Sequence, residues 1–237
     1  ENLKAFVNDV LYPLWDKKSV DHSVRTRSET RDAASSDLRV ATGLLDIRLI
    51  AGNPDLVAAV QLDALDFWRK NAKENLANLH KSLQERHVRA GELAYLLEPD
   101  LKEARGGLRD IQALRAISLS AAITVPLEKI SWAEGTLNNV RESLHIASGR
   151  GKDRLLFQEQ DKVAKLLDYP DADAMMSDVA RAARSVDYLL NYTWHSLEHK
   201  GKDGLGRILK RPRITTVAKN VSASNREIVI DPFTSLD

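Results

Sequence analysis

The sequence predicts a mainly α fold: a helical bundle that carries the remnant of a small sheet near its N-terminal end and ends in a short β-like tail. Apolar residues recur at helical spacing through most of residues 54–199. Gly106-Gly107 and Pro126 divide this stretch into separate helices. After Gly201 the helical pattern stops, and a basic run with short β-like segments follows.

The periodicity of the apolar residues predicts seven helices. They are predicted over residues 3–14, 28–36, 54–89, 108–122, 126–148, 154–167 and 172–199. Ser28 is a candidate N-cap for the second helix. Short β-like segments are predicted at 21–26, 215–217 and 227–230.

Leu44–Ala51 is the most strand-like segment of the first quarter. Asp46 and Arg48 alternate there with apolar residues, as on a strand with one polar and one apolar face. A helix that continues from Asp37 competes with this interpretation, because Leu38, Ala41 and the leucines at 44 and 45 also fit helical spacing.

Composition limits the classes of function. The chain has 237 residues with 43% hydrophobic side chains, enough for a sizeable core without disulfides. Its 35 Lys+Arg and 34 Asp+Glu nearly balance, so neither nucleic acid nor an anionic membrane is expected as a partner. Cysteine is absent, which excludes thiol catalysis and zinc–thiolate sites. The N-terminal residues do not resemble a signal peptide, no apolar run has transmembrane length, and the missing initiator Met leads us to expect an upstream extension.

The strongest local feature is the segment 98–111, which contains Lys102, Gly106-Gly107, Arg109 and Asp110. Two glycines at a helix start let the backbone approach an anion, and the free N–H groups of the first turn would point at it. Lys102 and Arg109 add two cations that suit a triphosphate. In the alternative interpretation the glycines only make a turn, Asp110 favours the helix dipole, and the basic side chains are solvated.

Several other residues have both a functional and a structural interpretation. Asp46 is the best candidate for a magnesium-binding carboxylate, and a salt bridge to Arg48 or Arg25 is the structural alternative. Arg25, beside His22-Ser23, either binds an anion or belongs to a strand end. Arg150, Lys152 and Arg154 either face a phosphate or form a solvated loop. Asp153-Arg154 is predicted to cap the next helix, and His145 to be a satisfied core or groove histidine.

Taken in order, several stretches resemble the PII uridylyltransferase family. They are residues 11–16, 22–26, 37–42, 44–49, 94–102, 106–111, 144–145 and 149–157. The resemblance covers roughly residues 8 to 200. It implies the polymerase-β-like nucleotidyltransferase superfamily, in which a small mixed sheet precedes a helical bundle. The sheet remnant at the N-terminal end would then belong to that mixed sheet.

The resemblance also implies an activity and a site. The reaction would be magnesium-dependent transfer of UMP, or of AMP, from UTP or ATP to a tyrosine of the PII signalling protein in the cytoplasm. Asp46 would be the third metal-binding carboxylate and could accept the tyrosine proton; no Gly-Ser motif followed by two carboxylates is found in this sequence. The nucleotide would contact the segment that holds Lys102, Gly106-Gly107, Arg109 and Asp110, with Arg25 and Arg154 as further contacts.

Three segments follow from this resemblance. Residues 1–53 would be the C-terminal part of the nucleotidyltransferase domain, 54–200 the nucleotide- and substrate-binding bundle, and 201–237 a linker to a phosphohydrolase domain. The chain alone is expected to be inactive. Ala104-Arg105 departs from the family, which usually has a proline before the two glycines. Two other functions stay open: a helical module that docks PII, and an adenylyltransferase that acts on glutamine synthetase.

Overall fold

A computed structural model describes residues 24–202 continuously, isolated positions between 9 and 16, and three short strands between 215 and 230. Most of the predicted helix at 3–14 and the start of the β-like segment at 21–26 lie outside the described residues; Asp9, Tyr12 and Pro13, which are described, are helical. The chain divides into two compact units, residues 1–68 and 69–237, and each is described separately.

The first unit contains helices α1 (Arg27–Ser36) and α2 (Leu38–Leu44) and most of α3 (Pro54–Lys70). Thr26, not the predicted Ser28, caps α1: its hydroxyl accepts from the Glu29 N–H, and the Glu29 carboxylate accepts from the Thr26 N–H at 2.7 Å. Asp37 separates α1 from α2, and its carboxylate accepts from the Arg39 N–H at 2.7 Å.

The predicted strand at Leu44–Ala51 is wrong. The helix that begins after Asp37 continues to Leu44, a turn follows, and no strand forms between residues 24 and 68. The sheet remnant predicted for this end of the chain is therefore not observed in the described residues. A strand needs a neighbour for its backbone hydrogen bonds, and residues 24–68 offer none. Instead, the Ile47 carbonyl accepts a hydrogen bond from the Gln61 side chain at 2.7 Å.

The second unit is helical through residue 202. After α3 come α4 (Ala72–Ala90), α5 (Leu108–Leu119), α6 (Ser131–Ser148), α7 (Phe157–Leu166) and α8 (Ala172–Lys202). Short 3-10 helices cover Leu93–Tyr95 and Leu127–Ile130. The single helix predicted over 54–89 is two helices, because the backbone leaves the helical region at Asn71, with φ −106° and ψ 23°.

The long helix α8 is the centre of this unit, and α5, α6 and α7 pack against it. Its buried residues recur every three or four positions: Met175, Val179, Ala182, Ala183, Val186, Leu189 and Leu190. Helix α6 contributes buried Leu137, Val140 and Leu144. The core therefore lies along α8, which positions the loop between α4 and α5.

The tail contains three strands, β1 (Thr215–Ala218), β2 (Val221–Ser224) and β3 (Glu227–Ile230). They pair antiparallel in the order β1-β2-β3. Two of them coincide with the segments that the sequence predicts as β-like.

Candidate functional site

The loop from residue 91 to residue 107 connects α4 to α5 and is held by its own backbone. The Leu93 N–H donates to the Arg105 carbonyl at 3.0 Å, and the Arg105 N–H donates to the Gly91 carbonyl at 2.8 Å. Within the loop, one Asp100 carboxylate oxygen accepts from the N–H groups of Lys102 at 2.9 Å and Glu103 at 2.7 Å. These bonds fix the backbone from which Lys102 extends.

The N–H groups around Gly106-Gly107 already have acceptors within the protein. Four successive groups donate as follows: Gly106 to the Asp110 carboxylate at 2.6 Å, Gly107 to the Ala104 carbonyl at 2.9 Å, Leu108 to the Leu101 carbonyl at 3.0 Å, and Arg109 to the Lys102 carbonyl at 3.1 Å. In this structure these amides are therefore not free to form the anion cradle that the sequence suggested, and a nucleotide contact at Gly106-Gly107 stays a prediction. The glycines make a turn.

Close packing explains why this turn contains two glycines. Gly106 has φ +84°, and a Cβ atom there would lie 2.5 Å from the Ala183 carbonyl oxygen on α8. A Cβ atom on Gly107 would lie 2.8 Å from the Leu101 carbonyl oxygen. A larger residue at either position would push the turn away from the backbone it contacts.

Asp110 is fully buried directly beneath the turn. Its carboxylate accepts from the Arg86 guanidinium, from His87 Nε2 at 2.9 Å and from the Gly106 N–H at 2.6 Å. Burial raises the pKa of Asp110, but the His87 hydrogen bond and the Arg86 charge outweigh burial and hold the pKa below its ordinary value. This geometry gives Asp110 a structural role, and its contact with a nucleotide stays a prediction.

A second carboxylate, Asp153, joins the loop to helix α6. Arg141 Nε donates to it at 2.6 Å, His145 Nε2 lies 2.9 Å away, and Lys102 Nζ lies 3.8 Å away. Burial raises the pKa of Asp153, but the hydrogen bonds and charges of these side chains outweigh burial and hold the pKa below its ordinary value. Asp153 does not cap a helix as predicted, because α7 begins only at Phe157.

Backbone hydrogen bonds bring the family-like stretches together here. The Leu101 N–H donates to the Asp153 carbonyl at 2.9 Å, and the Leu155 N–H donates to the Pro99 carbonyl at 2.9 Å. Glu98 bonds both Arg154, at 3.3 Å, and the Phe157 N–H, at 3.1 Å. Stretches that are far apart in sequence therefore meet at one place.

We call this place the motif surface and define it as Lys102, Arg141, His145, Asp153 and Arg154. The side chains of Lys102, Arg141 and His145 are each about one third exposed, and Arg154 is 63% exposed. Two permanent cations and one imidazole thus reach solvent around Asp153, and a third cation, Arg154, pairs with Glu98. Such an arrangement can bind an anion.

The remaining predicted site residues lie elsewhere. Arg109 is about half exposed and donates to Glu103 at 3.3 Å and Gln112 at 3.1 Å. Arg25 and Asp46 belong to the first unit, and both are exposed. Within the described residues, Asp46 forms no ion pair with Arg25 or Arg48, so that structural alternative is wrong.

The described residues do not by themselves fit a magnesium site. Among them, no group of three or more His, Asp or Glu side chains could hold a metal ion. Asp46 offers a single exposed carboxylate, whereas magnesium uses one or two carboxylates together with phosphate oxygens and waters.

The sequence interpretation missed the partners of Asp153. The sequence predicted a satisfied core or groove histidine at His145 but did not name its partner, and it gave Arg141 no role. The signal was present: Arg141 and His145 are four residues apart on one helical face, and Gly149 and Gly151 let the chain turn back toward it.

A cavity of about 570 Å³ opens along α8 beside the Gly106-Gly107 turn. Arg105, Asp187 and Tyr192 are among the residues that line it, and Arg105 Nε donates to Asp187 at 2.7 Å. No residue of the motif surface lines this cavity, so the two features are separate.

Comparison with known proteins agrees with these features. The family model described as GlnD PII-uridylyltransferase matches residues 74–130 and 125–194, which include both the turn and the motif surface. The chain belongs to this PII uridylyltransferase family.

Two relatives that match most of the chain carry the same name. The chain is 44% identical over 215 residues to the bifunctional uridylyltransferase/uridylyl-removing enzyme of Streptomyces coelicolor, covering 89% of this chain and 25% of that protein. It is 33% identical over 238 residues to the enzyme of the same name from Mycobacterium tuberculosis, covering 96% of this chain and 30% of that protein. The chain thus spans between a quarter and a third of these relatives. No solved structure matches it.

None of the described helices combines the length and the hydrophobicity that crossing a bilayer requires.

Proposed function

We propose that this chain is part of an enzyme that transfers a uridylyl group from UTP to a tyrosine of the PII signalling protein. The observation that carries this proposal is the match to the PII uridylyltransferase family over the residues that build the turn and the motif surface. The names of the relatives favour UTP over ATP and give no support to an adenylyltransferase acting on glutamine synthetase.

In this proposal the tyrosine oxygen forms a bond to the α-phosphorus of UTP. The bond from that phosphorus to the bridging oxygen breaks, and pyrophosphate leaves with the electron pair. The tyrosine proton passes to a carboxylate base, the role that we propose for Asp46. Asp46 would also supply one carboxylate to a magnesium site whose other ligands the described residues do not provide.

The basic side chains would bind the triphosphate. Lys102 and Arg154 are partly exposed on the motif surface, and Arg109 extends from the start of α5. Arg25 is a further proposed contact on the first unit. Gly106, Gly107 and Asp110 support this binding indirectly, because they shape the loop from which Lys102 and Arg109 extend.

Asp46→Asn in the complete enzyme tests this proposal. Uridylyl transfer to purified PII is measured with labelled UTP, and we expect it to be lost while the far-UV circular dichroism spectrum is unchanged. The matched control is Asp32→Asn, which removes another exposed carboxylate of the first unit and should keep full transfer. Near-normal transfer by Asp46→Asn would overturn the assignment of Asp46.

The wild-type enzyme tests the function itself. Absence of transfer from UTP to PII by the complete wild-type enzyme would contradict the proposed function, and transfer from ATP alone would replace UTP as the donor. Binding of PII without any transfer would favour the alternative of a helical docking module.

A further inference from the structure

We infer that the motif surface, extended by Arg150 and Lys152, binds the phosphate groups of the nucleotide through Arg141 and His145. This inference rests on the proposed function, because it names residues that would hold its substrate. It also replaces the Gly106-Gly107 amides, whose hydrogen bonds are already made within the protein, as the anion contact.

The local charge is the first argument. The chain as a whole has a net charge of only +1. On the motif surface, Lys102 and Arg141 pair with Asp153, and Arg154 pairs with Glu98. Arg150 and Lys152 lie in the connection that leads to Asp153, are exposed, and form no ion pair among the described residues. These five cations exceed the three nearby carboxylates of Glu98, Asp100 and Asp153 by two, so positive charge is concentrated at one place on a nearly neutral protein.

The second argument is the geometry around Asp153. The carboxylate engages Arg141 through Nε, which leaves both terminal nitrogens of the guanidinium to donate to another acceptor. It engages Lys102 at 3.8 Å, a distance that leaves ammonium protons for a second partner. Asp153 thus orients cations without using all their donors, as a preorganised anion site requires.

Phosphate is the anion that this arrangement suits best. Guanidinium groups match the oxygen spacing of a phosphate, and lysine adds a compact point charge. His145 lies on the same face of α6 as Arg141, one turn further along, and its Nε2 already faces Asp153, so its second ring nitrogen donates to a phosphate only in the imidazolium form. Guanidinium and ammonium donors from two elements can therefore contact neighbouring phosphates of one triphosphate.

The test uses inorganic tripolyphosphate as the probe, because it carries the triphosphate charge without a base and its binding requires no catalysis. Calorimetric titration of the chain should show binding that weakens steeply with added salt. We expect Arg141→Gln to weaken binding by about tenfold or more, since it removes a charge-assisted contact. Arg115→Gln is the matched control: Arg115 is also a partly exposed arginine paired with an acid, Glu134 at 2.6 Å, but it belongs to α5 and is not a residue of the motif surface.

A second variant covers the case in which Arg141→Gln disturbs the fold. Arg150→Gln combined with Lys152→Gln changes only exposed side chains that pair with no described residue, and it should weaken tripolyphosphate binding at an unchanged melting temperature. The inference is overturned if both variants bind tripolyphosphate as well as Arg115→Gln does. Such a result, alongside normal uridylyl transfer by the complete enzyme, would reject the site and leave the proposed function standing.

Discussion

Gly106 and Gly135 place the same residue type in opposite surroundings. Gly106 has φ +84° and no space for a Cβ atom, whereas Gly135 lies inside helix α6 with nothing within 4 Å of its Cβ position. We expect Gly106→Ala to lower the free energy of unfolding by about 2 kcal/mol or more, because both the backbone conformation and the contact with α8 oppose it. Gly135→Ala should raise it by about 0.5–1 kcal/mol. Urea denaturation measures both.

Equal effects of the two substitutions would contradict the packing role of Gly106.

The sequence showed that a turn occurs at Gly106-Gly107, since paired glycines interrupt helices. It could not show that the Ala183 carbonyl lies against Gly106, because that contact joins residues distant in sequence. The same limitation applies to Asp110: its place at a helix start suggested a dipole role, and only the fold reveals the buried contacts with Arg86 and His87.

At the scale of elements, two buried or partly buried carboxylates join separate pieces of the second unit. Asp110 joins α4 to the turn, and Asp153 joins α6 to the loop at Lys102. The pKa of each carboxyl lies below its ordinary value of 3.8 in the folded protein. In the range between the folded and ordinary values the unfolded chain binds more protons, so stability rises with pH there.

We therefore expect the stability from these carboxylates to be fully present above about pH 4 and to be lost as the pH falls through their folded pKa values. Urea midpoints measured from neutral pH downward should decrease over that acidic range. Asp153→Asn should show a smaller decrease than wild type, because it lacks one of the carboxyl groups whose pKa is lowered in the folded protein. Asp161→Asn, on an exposed position of α7, should follow wild type. An identical pH dependence in Asp153→Asn would show that Asp153 does not stabilise the junction.

The helices were predictable to different degrees. The start of α5 at Leu108 and the end of α6 at Ser148 agree with the sequence, because glycines mark both boundaries. Helix α7 begins at Phe157, later than predicted, since backbone pairing with Pro99 keeps Leu155 extended. Leu44–Ala51 was misassigned because alternation alone predicts a strand without showing that a neighbouring strand exists.

For the whole molecule, the order of the family-like stretches was sufficient to predict the family, while the composition of the motif surface was not predictable. Lys102 and Arg154 were identified from sequence, but Arg141 became a candidate only when the fold placed it beside Asp153. Local spacing describes neighbours on one helix. The loop with Lys102, helix α6 and the connection with Asp153 come together only through long-range packing around α8.

The distribution of buried residues predicts which part of the chain folds alone. The described buried apolar residues of the first unit are three alanines and one tryptophan: Ala34, Ala41, Ala64 and Trp68. Alanine buries little apolar area, so a fragment of residues 24–70 lacks the hydrophobic stabilisation to offset its conformational entropy. Residues 54–202 contain the buried face of α8 and the buried residues of the helices packed against it.

We expect residues 54–202, expressed alone, to be helical and to unfold in one cooperative transition, and residues 24–70 to show little helix and no thermal transition. Circular dichroism and calorimetry of the two fragments measure this difference. The 54–202 fragment should also bind tripolyphosphate as tightly as the complete chain, because every residue of the motif surface lies within it. A broad, non-cooperative transition in the 54–202 fragment would show that its helices need residues 1–53 to form a packed core.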